Sequence, residues 1–148
     1  MSIIYVHAPA CYLRPLQVLQ NRCLKIIFNL DRLTPTITLY SEHARSILPL
    51  RGIQYISTCK FVKQCLTNNI HHTIFFQQRD LNRQLRNPRK LYCAAIRNEY
   101  GRRRVAHFGP SCFNELPPEI TEARSLPNFI HKLKNYVSSP DYLQRFLR

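Results

Sequence analysis

Three stretches of this chain repeat apolar residues at steps of three and four, and that spacing leaves little room for anything but helices. In the first, Leu13 to Phe28, the stripe runs through Leu16, Leu19, Cys23 and Ile26 and on to Leu30, while Gln17, Gln20, Asn21 and Lys25 face elsewhere. In the second, about residues 50 to 67, it runs through Ile53, Ile56, Cys59, Val62 and Leu66, with Asn68-Asn69 as a natural end. In the third it runs through Leu126, Phe129, Leu133 and Tyr136, behind a capping serine at Ser125. Each stripe returns to one side of a helix and needs an apolar partner. Between the first two, Thr34 reads as an N-cap and Pro35 as a first helical position, which predicts a further helix over about 35–46. The segment ILPLRG, residues 47–52, then breaks it.

The expected fold is therefore mainly α. It is a small domain of about four helices with a basic, loop-rich insert and room for one short strand or hairpin, around Leu91 to Ile96 or over Val105 to Phe108. Its parts read as a helical region over 1–69, a basic and partly irregular insert over 70–108, and a proline-rich staple with a C-terminal helix over 109–148. At 148 residues and 45% hydrophobic composition these make one domain with one core.

Charge narrows the partners. Twenty-two Lys and Arg oppose eight Asp and Glu, a net +14, which resists compaction and favours a polyanion. Sixteen of the basic residues are arginine, whose planar fork suits phosphate and stacks on bases. From Arg79 to Arg104, nine basic residues meet only Asp80 and Glu99, so half of the excess lies in 26 residues. Arg79, Arg83, Arg86, Arg89, Lys90, Arg102, Arg103 and Arg104 are the candidate contacts to an RNA or DNA backbone. Phe75, Phe76, Tyr92 and Tyr100 lie among or beside them, as stacking platforms or as satellite core residues. A basic surface that only keeps the chain soluble is the alternative.

FGPSCFNELPPEI, residues 108–120, invites a catalytic reading that its chemistry does not support. A serine nucleophile wants small neighbours on a strained elbow, but Ser111 follows Pro110 and precedes Phe113 by two. A cysteine nucleophile needs an orienting histidine and a lowered pKa, and nothing pairs Cys112 with His107. The architectural reading has Gly109-Pro110 turn the chain, Phe108, Phe113 and Leu116 anchor it, and Pro117-Pro118 permit a helix from Glu119.

No metal, cofactor or catalytic residue is expected. Cys59 and Cys65 with His71 and His72 have the wrong spacing for a zinc knuckle. Asp31, Asp80 and Asp141 stand far apart, and Glu115, Glu119 and Glu122 are divided by prolines, so no carboxylates cluster for two metals. Three glycines cannot build a phosphate loop. No signal peptide is evident and no apolar run spans a bilayer. The expectation is an intracellular protein, cytoplasmic or nuclear and not secreted, whose six cysteines are reduced and mostly buried.

In order along the chain stand Leu19-Gln20-Asn21-Arg22, Ile47-Leu48-Pro49-Leu50, Gly109-Pro110 with Phe113-Asn114 and Leu116-Pro117, and Ser125-Leu126 with Phe129 and Lys132-Leu133-Lys134. This order resembles the carboxy-terminal region of the reverse transcriptase polyprotein of LINE-type (non-LTR) retrotransposons, the jockey-like clade above all, over about residues 12–137. The resemblance implies a helical region following the polymerase thumb of an RNA-directed DNA polymerase encoded by a transposable element. The family's aromatic-x-Asp-Asp signature and its amino-terminal endonuclease have no counterpart here, so no catalytic residue carries over. It also implies that Met1 falls inside a longer reading frame and that the chain is a fragment. The expected function is non-catalytic nucleic-acid binding, with the rest of the reverse transcriptase as a further partner. The alternatives are a protein-interaction module, an inert truncated relic, and a hydrolase using Cys112.

Overall fold

The structure, a computed structural model, describes residues 8, 10–68, 76, 91–93 and 95–147. They form eight α-helical segments and no strand: α1 (Ala10–Ile27), α2 (Thr36–Thr38), α3 (Leu50–Asn68), α4 (Glu99–Arg102), α5 (Val105–Asn114), α6 (Pro118–Thr121), α7 (Leu126–Val137) and α8 (Pro140–Leu147). Four of them, α1, α3, α5 and α7, have ten or more residues. The molecule is mainly helical, as the stripes require.

α3 is the central element. It packs against α5 and α7, so it buries far more than the one expected stripe. Tyr55, Ile56, Thr58, Cys59, Val62 and Cys65 are all buried. Around them close Cys112 and Phe113 from α5, Leu116, Ile120, and Phe129, Leu133 and Val137 from α7. Phe113 stacks on Phe129 with ring centroids 6.1 Å apart. Ser125 caps α7 as expected, accepting from the Asn128 amide at 3.4 Å. A smaller cluster holds Leu24 of α1 against Leu39, Tyr40, Ala44 and Leu143.

α1 sits where its periodicity puts it, but it is turned the other way. Leu16, Leu19 and Ile26 of the expected stripe are 52%, 57% and 79% exposed, and Cys23 is also exposed. Leu13 and Leu24 face inward at 9% and 4%. Polar contacts hold the helix down. The Gln17 side chain accepts from the Leu50 amide at 2.8 Å and so caps the start of α3. Its Nε2 donates to Tyr40 Oη at 2.9 Å and to Asn21 Oδ1 at 2.8 Å, and Gln20 Nε2 donates to the Leu48 carbonyl at 3.1 Å. The helix ends with Asn29 in the left-handed region at φ 50°, while Leu30 N bonds Lys25 O at 2.8 Å and Asn29 N bonds Ile26 O at 3.1 Å. That six-to-one and five-to-two pair is a Schellman closure, with asparagine taking the position glycine usually fills.

Three local expectations fail for identifiable reasons. Thr34 does not cap the next helix. Asp31 turns the chain instead, taking the Leu33 amide at 3.1 Å on its side chain, and Pro35 occupies the capping position without a side-chain bond. The helix is short because the chain widens into a π turn over Leu39–His43, closed by Ala44 N to Leu39 O at 2.8 Å, which buries Leu39 and Tyr40. Val105 to Phe108 is the first turn of α5 and not a strand, and Gly109-Pro110 lies inside that helix. A side chain at Gly109 would meet Val62 Cγ2 at 3.0 Å and Phe76 Cε1 at 3.1 Å, so glycine serves close helix approach here and not a turn.

Leu91 forms an isolated β-bridge, and residues 92, 93 and 95–98 are irregular. Leu91 is also pinned by Asn114, whose side chain accepts from the Leu91 amide at 2.8 Å and donates to the Leu91 carbonyl at 2.9 Å. One amide side chain thus bonds both main-chain groups of a buried residue. Pro117 occupies the capping position of α6 and Pro118 its first residue, one residue ahead of the expected start. α8 is a helix beyond the expected ones. Pro140 opens it, the Ser139 carbonyl takes its first bond at 2.9 Å from Leu143 N, and Leu143 is buried.

Candidate nucleic-acid interface

The described part of the arginine-rich stretch is built around Asn98. Its side chain accepts from the Gly101 amide at 2.7 Å and caps the short α4. The chain then leaves α4 through Arg103 and enters α5 behind Arg104. Arg102 and Arg104 are exposed and Arg103 is half-buried. Arg102 Nε donates to the Ile96 carbonyl at 3.2 Å, which directs one edge of the guanidinium inward. Arg103 pairs with Glu99 one turn earlier. Arg104 lies over the exposed Tyr100 ring, 6.0 Å from its centroid. Three cations therefore crowd the start of α5, where the helix dipole is also positive. An anion relieves this local repulsion, and only Glu99 does so within the turn.

The fold adds two arginines that the sequence did not single out. Arg51 from α3, Arg103, and Arg145 from α8 line one cleft of about 340 Å³. Tyr55, Cys112 and Glu115 form part of its wall. Arg145 pairs with Glu115 at 2.9 Å and donates to Tyr142 Oη at 3.1 Å. Tyr142 Oη in turn donates to Tyr55 Oη at 3.1 Å, and Tyr55 Oη donates to the Cys112 carbonyl at 3.0 Å. This chain of bonds joins α8 to α3 and α5 and sets the place of Arg145. Only the packing of α8 brings it near Arg51 and Arg103; no spacing in the sequence signals that.

Arg79, Arg83, Arg86, Arg89 and Lys90 lie outside the described residues, as does Phe75. Of the stacking candidates, Tyr92 and Tyr100 are exposed. Phe76 is a core residue, buried against Phe61 with ring centroids 6.2 Å apart, and offers no face to a base.

Cys112 lines the cleft, but burial, then Glu115, pushes its thiol up to about 12, so at neutral pH it stays protonated and a poor nucleophile. Burial raises Cys59 well above its ordinary value too. Glu119 stands in the first turn of α6 and Glu122 at its end, while Glu115 serves Arg145. Among the described residues no three His, Cys, Asp or Glu side chains group to hold a metal ion, and no helix is long and apolar enough to cross a membrane. No protein-family model, curated protein or solved structure matches the chain.

Proposed function

We propose that this chain is a non-catalytic, carboxy-terminal fragment of a LINE-type reverse transcriptase that holds a nucleic-acid backbone by counterion displacement. The observation that carries the binding role is the Arg102–Arg104 turn, three consecutive cations at a helix start beside a cleft lined by Arg51 and Arg145. Each phosphate neutralised releases condensed counterions, so affinity falls steeply with salt. The lineage rests on the ordered motifs, whose residues also have structural work to do. Gln20 and Asn21 tie α1 down, Asn114 pins Leu91, and Phe113, Leu116, Phe129 and Leu133 fill the core.

The test is a fluorescence-anisotropy titration of the full chain against labelled single-stranded RNA and double-stranded DNA across a salt series. Replacing Arg102, Arg103 and Arg104 together with Ala should weaken binding to every sequence. The slope of log affinity on log salt should shrink by about two, not three, because Arg103 already faces Glu99. An unchanged slope removes the turn from the interface. Translating the frame upstream of Met1 tests the lineage: an aromatic-x-Asp-Asp turn there supports it, and a long open frame without one counts against it.

A further inference from the structure

The arginine cleft does not end at Arg51. A second cavity, of about 630 Å³, is lined by α1, α2, the start of α3 and the end of α8. Leu13 of α1, Arg51 of α3 and Phe146 of α8 line both cavities, so the two adjoin there and make one groove. Its charge is of one sign. Arg103 and Arg145 stand in the first cavity, Arg14 in the second and Arg51 between them. Glu115 is the one carboxylate among the described residues that line the groove, and Arg145 holds it at 2.9 Å. Arg145 makes its contacts to Glu115 and Tyr142 through Nη1 alone, so among the described residues no acceptor takes its Nε or Nη2. Arg14 and Arg51 are exposed and meet no carboxylate among the described residues. Such a row repels itself, and phosphates spaced along a strand relieve that repulsion.

Shape selects the form of the strand. A duplex keeps its bases stacked inside and brings only its phosphate edge to a protein surface, which suits the exposed Arg102 and Arg104 but not a groove between helices. A single strand can turn its bases outward and lay them on aromatic side chains. Phe146, half-buried, stands where the two cavities meet, and the half-buried Phe108 lines the first. Tyr55 and Tyr142 brace Phe146, with ring centroids 5.6 and 5.4 Å away. Both cavities are of a size that takes a small planar group. We infer that a single strand, of RNA or DNA, runs from the Arg102–Arg104 turn through both cavities, with phosphates at Arg145, Arg51 and Arg14 and a base against Phe146. This rests on the nucleic-acid reading above and adds to it the form of the ligand, its path and the role of Arg14.

The experiment titrates the full chain by anisotropy against labelled single-stranded RNA, single-stranded DNA and duplex DNA of one sequence and length, across a salt series. One or both single strands should bind more tightly than the duplex, and the tighter one names the sugar. Arg14→Ala should lower the single-strand salt slope by about 0.7, the loss of one phosphate contact, and leave the duplex slope unchanged. A general loss of folding does not produce that split. Phe146→Leu keeps an apolar side chain but removes the ring face. It should weaken single-strand binding roughly tenfold without changing the slope. Circular dichroism checks that both variants keep their helices. Arg14 is exposed and makes no bond to another described residue, so its variant tests the path even if Phe146→Leu fails to fold. Three results overturn the inference: a duplex bound as tightly as either single strand, an Arg14→Ala variant that lowers both slopes equally, and single-strand binding that Arg14→Ala leaves unchanged. If the triple Ala variant of Arg102, Arg103 and Arg104 still lowers the slope in those cases, the nucleic-acid reading stands and only the path falls. A chain that binds none of the three overturns both.

Discussion

Asn114 offers the sharpest test of how this sequence closes its fold. Its side-chain amide satisfies both main-chain groups of the buried Leu91, at 2.8 and 2.9 Å. Asn114→Ala removes the side-chain bonds to a buried N–H and a buried C=O, each loss costing up to about 1–3 kcal/mol. Asn114 is only half-buried, so water reaches one side and the total falls toward the low end, about 2–3 kcal/mol. For a chain of this length that lowers the melting temperature by about 5–10 °C. Asn114→Asp separates the two bonds. An ionised carboxylate still accepts from Leu91 N but sets an oxygen against Leu91 O. Protonation restores a donor, so the folded state raises this carboxyl above its unfolded value near 3.9. The stability it contributes is fully present below that unfolded value and is lost as pH rises through the folded one. Paired thermal melts of the parent and both variants at about pH 4 and about pH 7 read this directly. The parent melted at both pH values supplies the reference, since the six histidines and eight acidic residues gain protons over the same range. An Ala variant melting with the parent, or an Asp deficit equal at both pH values, would refute the bridging role.

Two further outcomes follow from the packing. Tyr55→Phe removes the link between Tyr142 Oη and the Cys112 carbonyl and should cost about 1–2 kcal/mol in urea denaturation, since Cys112 O keeps a main-chain partner in Glu115 N at 3.3 Å. Thiol titration of the native protein at neutral pH should label Cys11 and Cys23 quickly and leave Cys59, Cys65 and Cys112 silent until denaturant is added. Raising the pH to about 9 should still leave Cys112 unlabelled, since burial pushes its thiol up to about 12.

What the sequence made legible was the position of helices, more than the direction they face. α3 and α7 could be read because their partners are apolar and local spacing marks the buried side. α1 misled because its inward side sets Gln17, Gln20 and Asn21 among only two buried leucines, Leu13 and Leu24, while the longer apolar stripe is turned out. Periodicity locates an apolar face; it does not say which neighbour receives it. Val105 to Phe108 looks like a strand because valine and phenylalanine favour one, and Gly109-Pro110 looks like a stop. Contact with Val62 and Phe76 overrides both. α8 had a readable start in Ser139-Pro140 followed by Tyr142, Leu143, Phe146 and Leu147 at helical spacing, but its eight residues gave a short signal. In the candidate site, Arg102 to Arg104 stood out as consecutive cations. Arg51 and Arg145 did not, because they are 94 positions apart and only tertiary packing makes them neighbours.

The Gln17 cap makes α1 more than a lid on the small apolar cluster. Hydrogen bonds from these half-buried amides exchange with water at small net cost, so α1 can open locally without the core around α3 opening with it. When it lifts, the Leu50 amide loses its acceptor and the first turn of α3, which includes Arg51 at the cleft, frays with it. By thermodynamic reciprocity, an anion held at Arg51 therefore also steadies α1 through the Gln17–Leu50 bond.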